Sequence, residues 1–575
     1  MFEAGCEPHA ADLSRIMDAD GNLRERVLTE PFERAVAQFP DRVAVDFFGR
    51  EWTYGELGAI VDHVARGLQE AGLVAGDRFG LCLPNTPYSV ILYEAVLRVG
   101  GIVVNLNPLY SPSEIDFLIE DSGAKMIATV DLEAIHGKVA DAVAAGSVEK
   151  LVLCPMAQVL PFWKSIGLRM FKRKELARRR AGVDYLDYRE LARITGAPHK
   201  VAISPRDVAV LQYTGGTTGQ PKGAMLTHAS LAANSAQMLL HLGEERDCPE
   251  RTLGVLPLFH VFGLTCVLNF SIETAAEMVL LPRFEMDEVL ATIARKPPTQ
   301  FFAVPTIYNA IGSLPGGRAP DLSTVRASIC GGAPLPLDVR QSYEKATGSQ
   351  VSEGYGLTEA SPIITCNPLM GRGPVKANSC GPAFPHTIIE LRDPESGALV
   401  EGTGQRGEIC ARGPQLMKGY WNRPDADGRV FVDGALRTGD IGYLDEAGYL
   451  FIVDRIKDLI LCSGYNVYPR VIEDAAYEHP AVREAVAIGI PDDYRGEAPK
   501  LFISVHDGTH LDVAELEAFL KKRLSAIEMP DAYEFRDELP KTLVGKLSKK
   551  DLVEEERAKR EGHADPDKAQ YGAAT

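Results

Sequence analysis

Between Arg78 and Val130 short apolar runs alternate with helical ones, and no other feature restricts the fold as strongly. The pattern predicts a strand at Arg78–Leu83, a helix through Tyr88–Val99, a strand at Gly101–Leu106, a helix from Ser113 and a strand at Lys125–Val130. Short strands, each followed by a helix, assemble into a mostly parallel sheet with helices on its faces. The same rhythm returns between Arg251 and Cys330. Ahead of it, Val43 to Tyr54 reads as a hairpin turning at Gly49-Arg50, and residues 56–75 have helical spacing.

After residue 380 the texture changes to short strands at Thr387–Leu391, Arg406–Ala411 and Tyr449–Val453. Beyond Asp454-Arg455-Ile456-Lys457-Asp458 comes a compact α+β stretch ending in helices from Val513 and from Ser548. The fold class is therefore α/β. A large N-terminal domain of mostly parallel sheets with flanking helices carries a β-rich subdomain, and a small α+β domain follows. At 575 residues the chain is too long for one core.

Directly after the apolar run Val208 to Leu211, three threonines and three glycines fall between Thr214 and Gly219, followed by Gln220-Pro221-Lys222-Gly223. Glycines allow a tight turn and a close backbone approach, and successive N–H groups form a concave anion site. Hydroxyls and one lysine complete a polyphosphate cradle. It is not a Walker A loop, because Pro221 stands where that motif needs glycine. Proline lacks an N–H and turns the preceding residue away from helix, so the loop reads as a flap and not a helix N-terminus.

Further stretches pair rigid turns with charge. Glu353 to Glu359 sets Tyr355, Thr358 and Glu359 around Gly354 and Gly356, with an aromatic platform and a carboxylate suited to magnesium beside phosphate. Arg437-Thr438-Gly439-Asp440 offers an aspartate for ribose hydroxyls. Pro257 to Gly263 inserts His260 among aromatics, equally readable as a core histidine. Near the end, Gly545-Lys546 stands apart from Lys541, Lys549 and Lys550, which read as solvated surface charges.

Composition excludes several classes. A net charge of −18 opposes general nucleic-acid binding. Ten cysteines without a CxxC support neither a disulfide framework nor a zinc site and fit reduced thiols in a cytoplasm. Met1 to Asn22 has no apolar signal core, and no apolar run reaches the roughly eighteen residues of a membrane span. Residues 160–180 depart from the acidic background: Lys164, Arg169, Lys172, Arg173, Lys174, Arg178, Arg179 and Arg180 accompany large apolar side chains. The segment reads either as an interfacial helix on anionic lipid at a membrane's inner face or as a solvated insertion. Leu168, falling between basic residues, counts against a clean apolar face.

In this order, the phosphate loop, His260 stretch, Gly331-Gly332-Ala333-Pro334-Leu335, the Tyr355/Glu359 turn, Thr438-Gly439-Asp440, Asp454 to Asp458 and Gly545-Lys546 resemble the adenylate-forming acyl-CoA synthetase superfamily. The resemblance covers about residues 25–555 and is strongest to bacterial long-chain fatty-acid–CoA ligases, notably at Leu256–Thr265 and Asp454–Pro469. It implies ATP, Mg²⁺ and coenzyme A, with a fatty acid activated to an acyl adenylate and passed to the CoA thiol. Thr214, Gly215, Gly216, Thr217, Thr218, Gly219 and Lys222 would hold the β- and γ-phosphates. Gly332 and Ala333 would line adenine, with Tyr355 stacked on it and Gly356 beside it. Thr358 would touch the α-phosphate, Glu359 and Thr214 the metal, and Asp440 and Arg455 the ribose. His260 would stand between acyl pocket and thiol tunnel, Gly464 along the pantetheine path, and Lys546 between carboxylate and α-phosphate.

The resemblance also implies a domain plan: an extension over 1–24, an adenylation domain over 25–457 with a basic insertion at about 157–182, a lid over 458–555 hinged at Asp458, and a disordered tail over 556–575. Monomer and homodimer both fit. Medium-chain, dicarboxylic and aryl-propenoic acid ligases, an acyl-AMP ligase serving a carrier protein, and a non-catalytic nucleotide sensor are the competing readings. Phe262 to Cys266, with Gly331 and Gly332, is small and apolar and favours an extended alkyl chain.

Overall fold

A computed structural model describes residues 8–10, 13–144, 146, 148–214, 220–246, 248–369, 371–462, 465–492, 495–541 and 547–562. The chain divides into two compact units, Met1–Ile389 with Ala411–Leu436, and Glu390–Cys410 with Arg437–Thr575.

The first unit is built on two sheets. One has seven strands in the spatial order Lys222–Thr227, Val208–Thr214, Ile102–Asn105, Arg78–Cys82, Met126–Val130, Lys150–Cys154 and Tyr185–Asp187, parallel except for the first. The other has eight, with Ala327–Cys330, Gln300–Ala303, Arg251–Gly254 and Glu277–Leu280 parallel at its centre. Its ends are antiparallel: Ile363–Cys366 on Ser352–Gly356, and the hairpin Val43–Phe47 with Arg50–Thr53. The predicted alternation is thus found nearly residue for residue.

Local chemistry explains the boundaries. Ser111 caps the helix Pro112–Ser122 by accepting from the Glu114 N–H while the Glu114 carboxylate takes the Ser111 N–H, and Pro112 needs no donor at the first turn. The helix Pro87–Arg98 is apolar around its whole circumference because it is covered on all sides, and every residue from Pro87 to Leu97 is buried. Glu94 is among them, and burial pushes its carboxyl up to about 8.

The second unit holds the strand Ala435–Leu444 from Arg437 onward, paired antiparallel with Leu450–Arg455, followed by the α+β stretch. There the long hairpin Val482–Asp492 with Gly496–Val505 carries Ala532–Phe535 alongside, and the helices Pro469–Tyr477 and Val513–Leu520 pack their apolar faces on it around Ile472, Leu501, Ile503 and Leu516. The helix from Ser548 begins at Lys549.

Two expectations change. Eight described cysteines are free, as expected, and all eight are buried, but Cys248 is disulfide-bonded, a pairing that the absence of CxxC could not reveal. Lys549 is not a solvated charge: its ammonium meets Glu473 at 2.9 Å with most of the side chain covered. Burial alone would lower its pKa, but Glu473, Asp454 and Asp458 outweigh that and hold it above the ordinary lysine value.

Candidate active site

In open α/β sheets ligands collect beyond the carboxyl ends of the parallel strands. The strands Arg251–Gly254, Gln300–Ala303, Ala327–Cys330 and Ser352–Gly356 run parallel, so the segments leaving them emerge at one edge. Three carry the expected site residues. Pro257 to His260 follows the first, Gly331 to Ala333 the third, and Thr358 and Glu359 the fourth.

Each is fixed by side chains from elsewhere in the unit. The Asn85 amide donates to the Gly254 carbonyl at 3.1 Å and the Leu256 carbonyl at 2.8 Å, and its oxygen accepts from the Leu258 N–H at 2.8 Å. Gln212, in the other sheet, donates to the Phe259 carbonyl at 2.9 Å while its oxygen accepts from Asn105 at 3.0 Å. His260 is half-buried and caps the short helix Val261–Gly263, its Nδ1 accepting from the Phe262 N–H at 3.2 Å. With Nδ1 so used, Nε2 is the nitrogen turned to chemistry or to a further partner.

Gly332 has φ +85°, a left-handed conformation that spares only glycine from strain, and it lies exposed beside half-buried Ala333. At Gly356 a Cβ would fall 2.0 Å from the Pro362 carbonyl oxygen, so the backbone after Tyr355 packs directly against the Pro362 segment and leaves no room for a side chain. The turn bearing Thr358 and Glu359 is held by Thr265, whose hydroxyl donates to the Ser361 carbonyl at 2.6 Å, and by Asn234, which exchanges two hydrogen bonds with Ile363.

The phosphate-loop strands form a hairpin. Val208–Thr214 pairs antiparallel with Lys222–Thr227, Thr214 opposite Lys222. Lys222 therefore begins a strand and not a helix, as Pro221 implied. It is exposed, and its ammonium lies 5.3 Å from the centre of the Tyr420 ring. Tyr420 sits beside the hairpin because Gly419 and Trp421 exchange backbone hydrogen bonds with Met225 and Gly223 at 2.8 Å. Its phenol donates to Glu359 Oε1 at 2.6 Å. Burial, then the Glu359 charge, raises the phenol pKa, so it remains a donor at any working pH.

This arrangement can hold a metal–phosphate group. Glu359 is half-buried, and among the described residues its Oε2 has no hydrogen-bond partner. A hard carboxylate oxygen suits Mg²⁺, and Lys222, which meets the ring of the same Tyr420, supplies a cation suited to phosphate oxygens.

Comparison with known proteins identifies the family. Residues 32–421 match the family described as AMP-binding enzyme, and residues 471–546 match the AMP-binding enzyme C-terminal domain. The chain belongs to the AMP-binding enzyme family. It is 40% identical over 550 residues to the long-chain-fatty-acid–CoA ligase of Bacillus subtilis (strain 168), covering 93% of this chain and 95% of that one. It is 35% identical over 519 residues to the feruloyl-CoA synthase of an Amycolatopsis species, covering 90% and 96%. Among solved structures, ATP-bound MatB from Rhodopseudomonas palustris matches with a TM-score of 0.79 and 30% identity, covering 92% of this chain and 99% of that one.

In this AMP-binding enzyme the second unit carries Asp440 and Arg455 opposite one another on the paired strands Ala435–Leu444 and Leu450–Arg455. Arg455 Nε stands 3.5 Å from Asp440 Oδ1 and is half exposed. The turn before Asp440 is braced by buried Glu408, which accepts from the Arg437 guanidinium at 2.7 Å and the Gly439 N–H at 3.1 Å. Asp454 is buried and accepts the N–H groups of Arg455 and Arg470, both at 2.7 Å. Burial pushes its carboxyl up to about 6. Asp458 ends the turn Ile456–Asp458. Gly215, Gly216, Thr217, Thr218, Gly219, Gly464 and Lys546 lie outside the described residues.

Tyr420, Asn85 and Gln212 did not emerge from sequence. Gly419-Tyr420-Trp421 was the available signal for the first, but nothing local ties it to Glu359.

Proposed function

We propose that the protein is an AMP-forming ligase that activates a long-chain fatty acid with ATP and Mg²⁺ and transfers the acyl group to coenzyme A. The likeness to ligases named for long-chain fatty acids, extending over nearly the whole chain, carries the substrate class. Apolar composition agrees with it: Phe262, Leu264 and Cys266, in the segment after His260, are all buried.

In the first half-reaction a carboxylate oxygen attacks the α-phosphorus. The new O–P bond forms as the bond to pyrophosphate breaks. Two anions must meet, so the work is neutralisation and alignment. Thr214, Thr217, Thr218 and Lys222, with Gly215, Gly216 and Gly219 between them, hold the β- and γ-phosphates. Thr358 donates to the α-phosphate and Lys546 bridges it to the carboxylate. Mg²⁺, when bound at Glu359 with Thr214 alongside, neutralises phosphate charge. Gly332 and Ala333 line the adenine, Tyr355 stacks on it with Gly356 giving clearance, and Asp440 with Arg455 takes the ribose. In the second half-reaction the CoA sulfur attacks the acyl carbonyl past His260 and Gly464. AMP leaves and the thiol proton passes to solvent.

The working division for this chemistry is residues 25–457 and 458–555, with the backbone pivot at Asp458. The protein works at a membrane surface reached through residues 160–180.

The deciding experiment measures acid-dependent AMP formation with and without CoA. Its panel contains saturated acids of increasing length, α,ω-diacids and aryl-propenoic acids. Preference for the longer saturated acids with stoichiometric acyl-CoA is expected. Preference for diacids or aryl acids would overturn the substrate class, and adenylate formation without any CoA thioester would overturn the second half-reaction.

A further inference from the structure

The helix Phe162–Phe171 reverses the usual order of a surface helix. At about 100° per residue, Phe162, Trp163, Ile166 and Met170 fall within an arc of about 100°, Leu168 lies roughly opposite that arc, and Phe171, at the C-terminal end, falls between the two. Leu168 is the buried residue of the helix. Phe162, Trp163, Met170 and Phe171 are 69%, 79%, 69% and 85% exposed, and the two most exposed large apolar side chains of the described residues are here. Leu168 therefore does not interrupt the apolar face. It is the anchor on the other side, aided by Lys164, which pairs with Glu288 at 3.2 Å and lies 4.2 Å from the centre of the Phe48 ring.

Cations follow at the helix end. Lys172 pairs with Glu175, Arg179 with Asp187, and Arg180 with Glu133. Exposed Arg173, Lys174 and Arg178 have no ion pair within 4.0 Å among the described residues. A second copy of the chain is a poor occupant, since a two-fold contact would set like clusters of cations against each other. Nucleic acid is opposed by the net charge of −18. An anionic bilayer satisfies both halves of the patch.

We propose that this helix lies in the headgroup boundary of an anionic bilayer, with Phe162, Trp163, Met170 and Phe171 among the acyl chains and Arg173, Lys174 and Arg178 on lipid phosphates. The inference rests on the reading of the substrate as a long-chain acid, which partitions into bilayers, and it fixes where such an acid is met. A helix of this kind binds by apolar area together with attraction to anionic lipid.

The test uses the full-length protein and vesicles of phosphatidylcholine with or without phosphatidylglycerol. Three surface cations at about fivefold each give a preference for the anionic vesicles on the order of a hundredfold, lost in high salt. Trp163 emission should shift to the blue and be quenched by brominated acyl chains. Trp163→Phe should keep binding and lose that quenching. The triple variant Phe162→Ser, Trp163→Ser, Phe171→Ser should lose vesicle binding while converting detergent-dispersed acid normally. Equal vesicle binding by the triple variant, or no quenching specific to Trp163, would overturn the proposal. So would a wild-type dimer that the triple variant dissolves without any vesicle effect. A protein that binds vesicles through this face but forms no acyl-CoA from any acid would refute the proposed function and leave the surface standing.

Discussion

Tyr420→Phe isolates one hydrogen bond at the candidate metal carboxylate. The phenol donates to Glu359 Oε1 at 2.6 Å, and burial keeps it protonated. A hydrogen bond to a charged acceptor is worth about 1.5–3 kcal/mol. Glu359 is half-buried, which favours the lower end. If that energy is expressed in the adenylation transition state, pyrophosphate release slows about tenfold, with a ceiling near a hundredfold. The phenyl ring still faces Lys222 at 5.3 Å, so the cation–π contact survives, whereas Tyr420→Ala removes a further roughly 0.5–1 kcal/mol. The assay is single-turnover pyrophosphate release across a range of Mg²⁺ concentrations, beside thioester formation from preformed acyl adenylate. Tyr420→Phe should raise the Mg²⁺ needed for half-maximal rate and leave the thioester step within about twofold of wild type. Equal losses in both half-reactions, or an unaltered Mg²⁺ dependence, would refute the role given to this pair.

Other changes separate the remaining parts. Lys546→Ala should abolish acid-dependent pyrophosphate release, at a cost of about 3 kcal/mol or more, while sparing thioester formation from preformed adenylate. Stopped-flow assays of each half-reaction would show it. Asp458→Pro fixes φ at the expected pivot and should slow acyl-CoA formation but not pyrophosphate release; unchanged overall turnover would count against a backbone change there. Glu94→Gln should stabilise the protein increasingly as pH rises. The carboxyl is raised from about 4.5 to about 8 by burial, with Arg98 opposing and Glu33 adding to the shift. The unfolded chain therefore ionises first, and wild-type stability falls between those two values. At about 1.36 kcal/mol per pH unit, the variant's advantage grows by about 4 kcal/mol from pH 5 to pH 8, read from denaturant midpoints at each pH.

What sequence could disclose follows from the range of each interaction. The strand Met126–Val130 and the helix Pro112–Ser122 are fixed by neighbours: apolar runs of the right length, a capping serine, a proline at the first turn. Gly332 and Glu359 could be proposed from sequence because each lies in a turn whose glycines and polar side chains fall within a few residues. Tyr420 was not, since its partner lies 61 residues away, and Asn85 steers a segment more than 160 residues downstream. No period or local spacing records such contacts. Leu168 and Lys549 fail in an instructive way, because a sequence specifies the side chain and not the direction of the core. Eight basic residues around Leu168 looked like a spoiled apolar face, yet the core lies on Leu168's side and leaves four large apolar side chains facing outward. Lys549 looked like its solvated neighbours, but its position at the start of the last helix turns it onto Glu473. A helical pattern specifies which residues share a face; only the tertiary contacts decide which face is covered. That decision separates a solvated insertion from a surface fit for lipid.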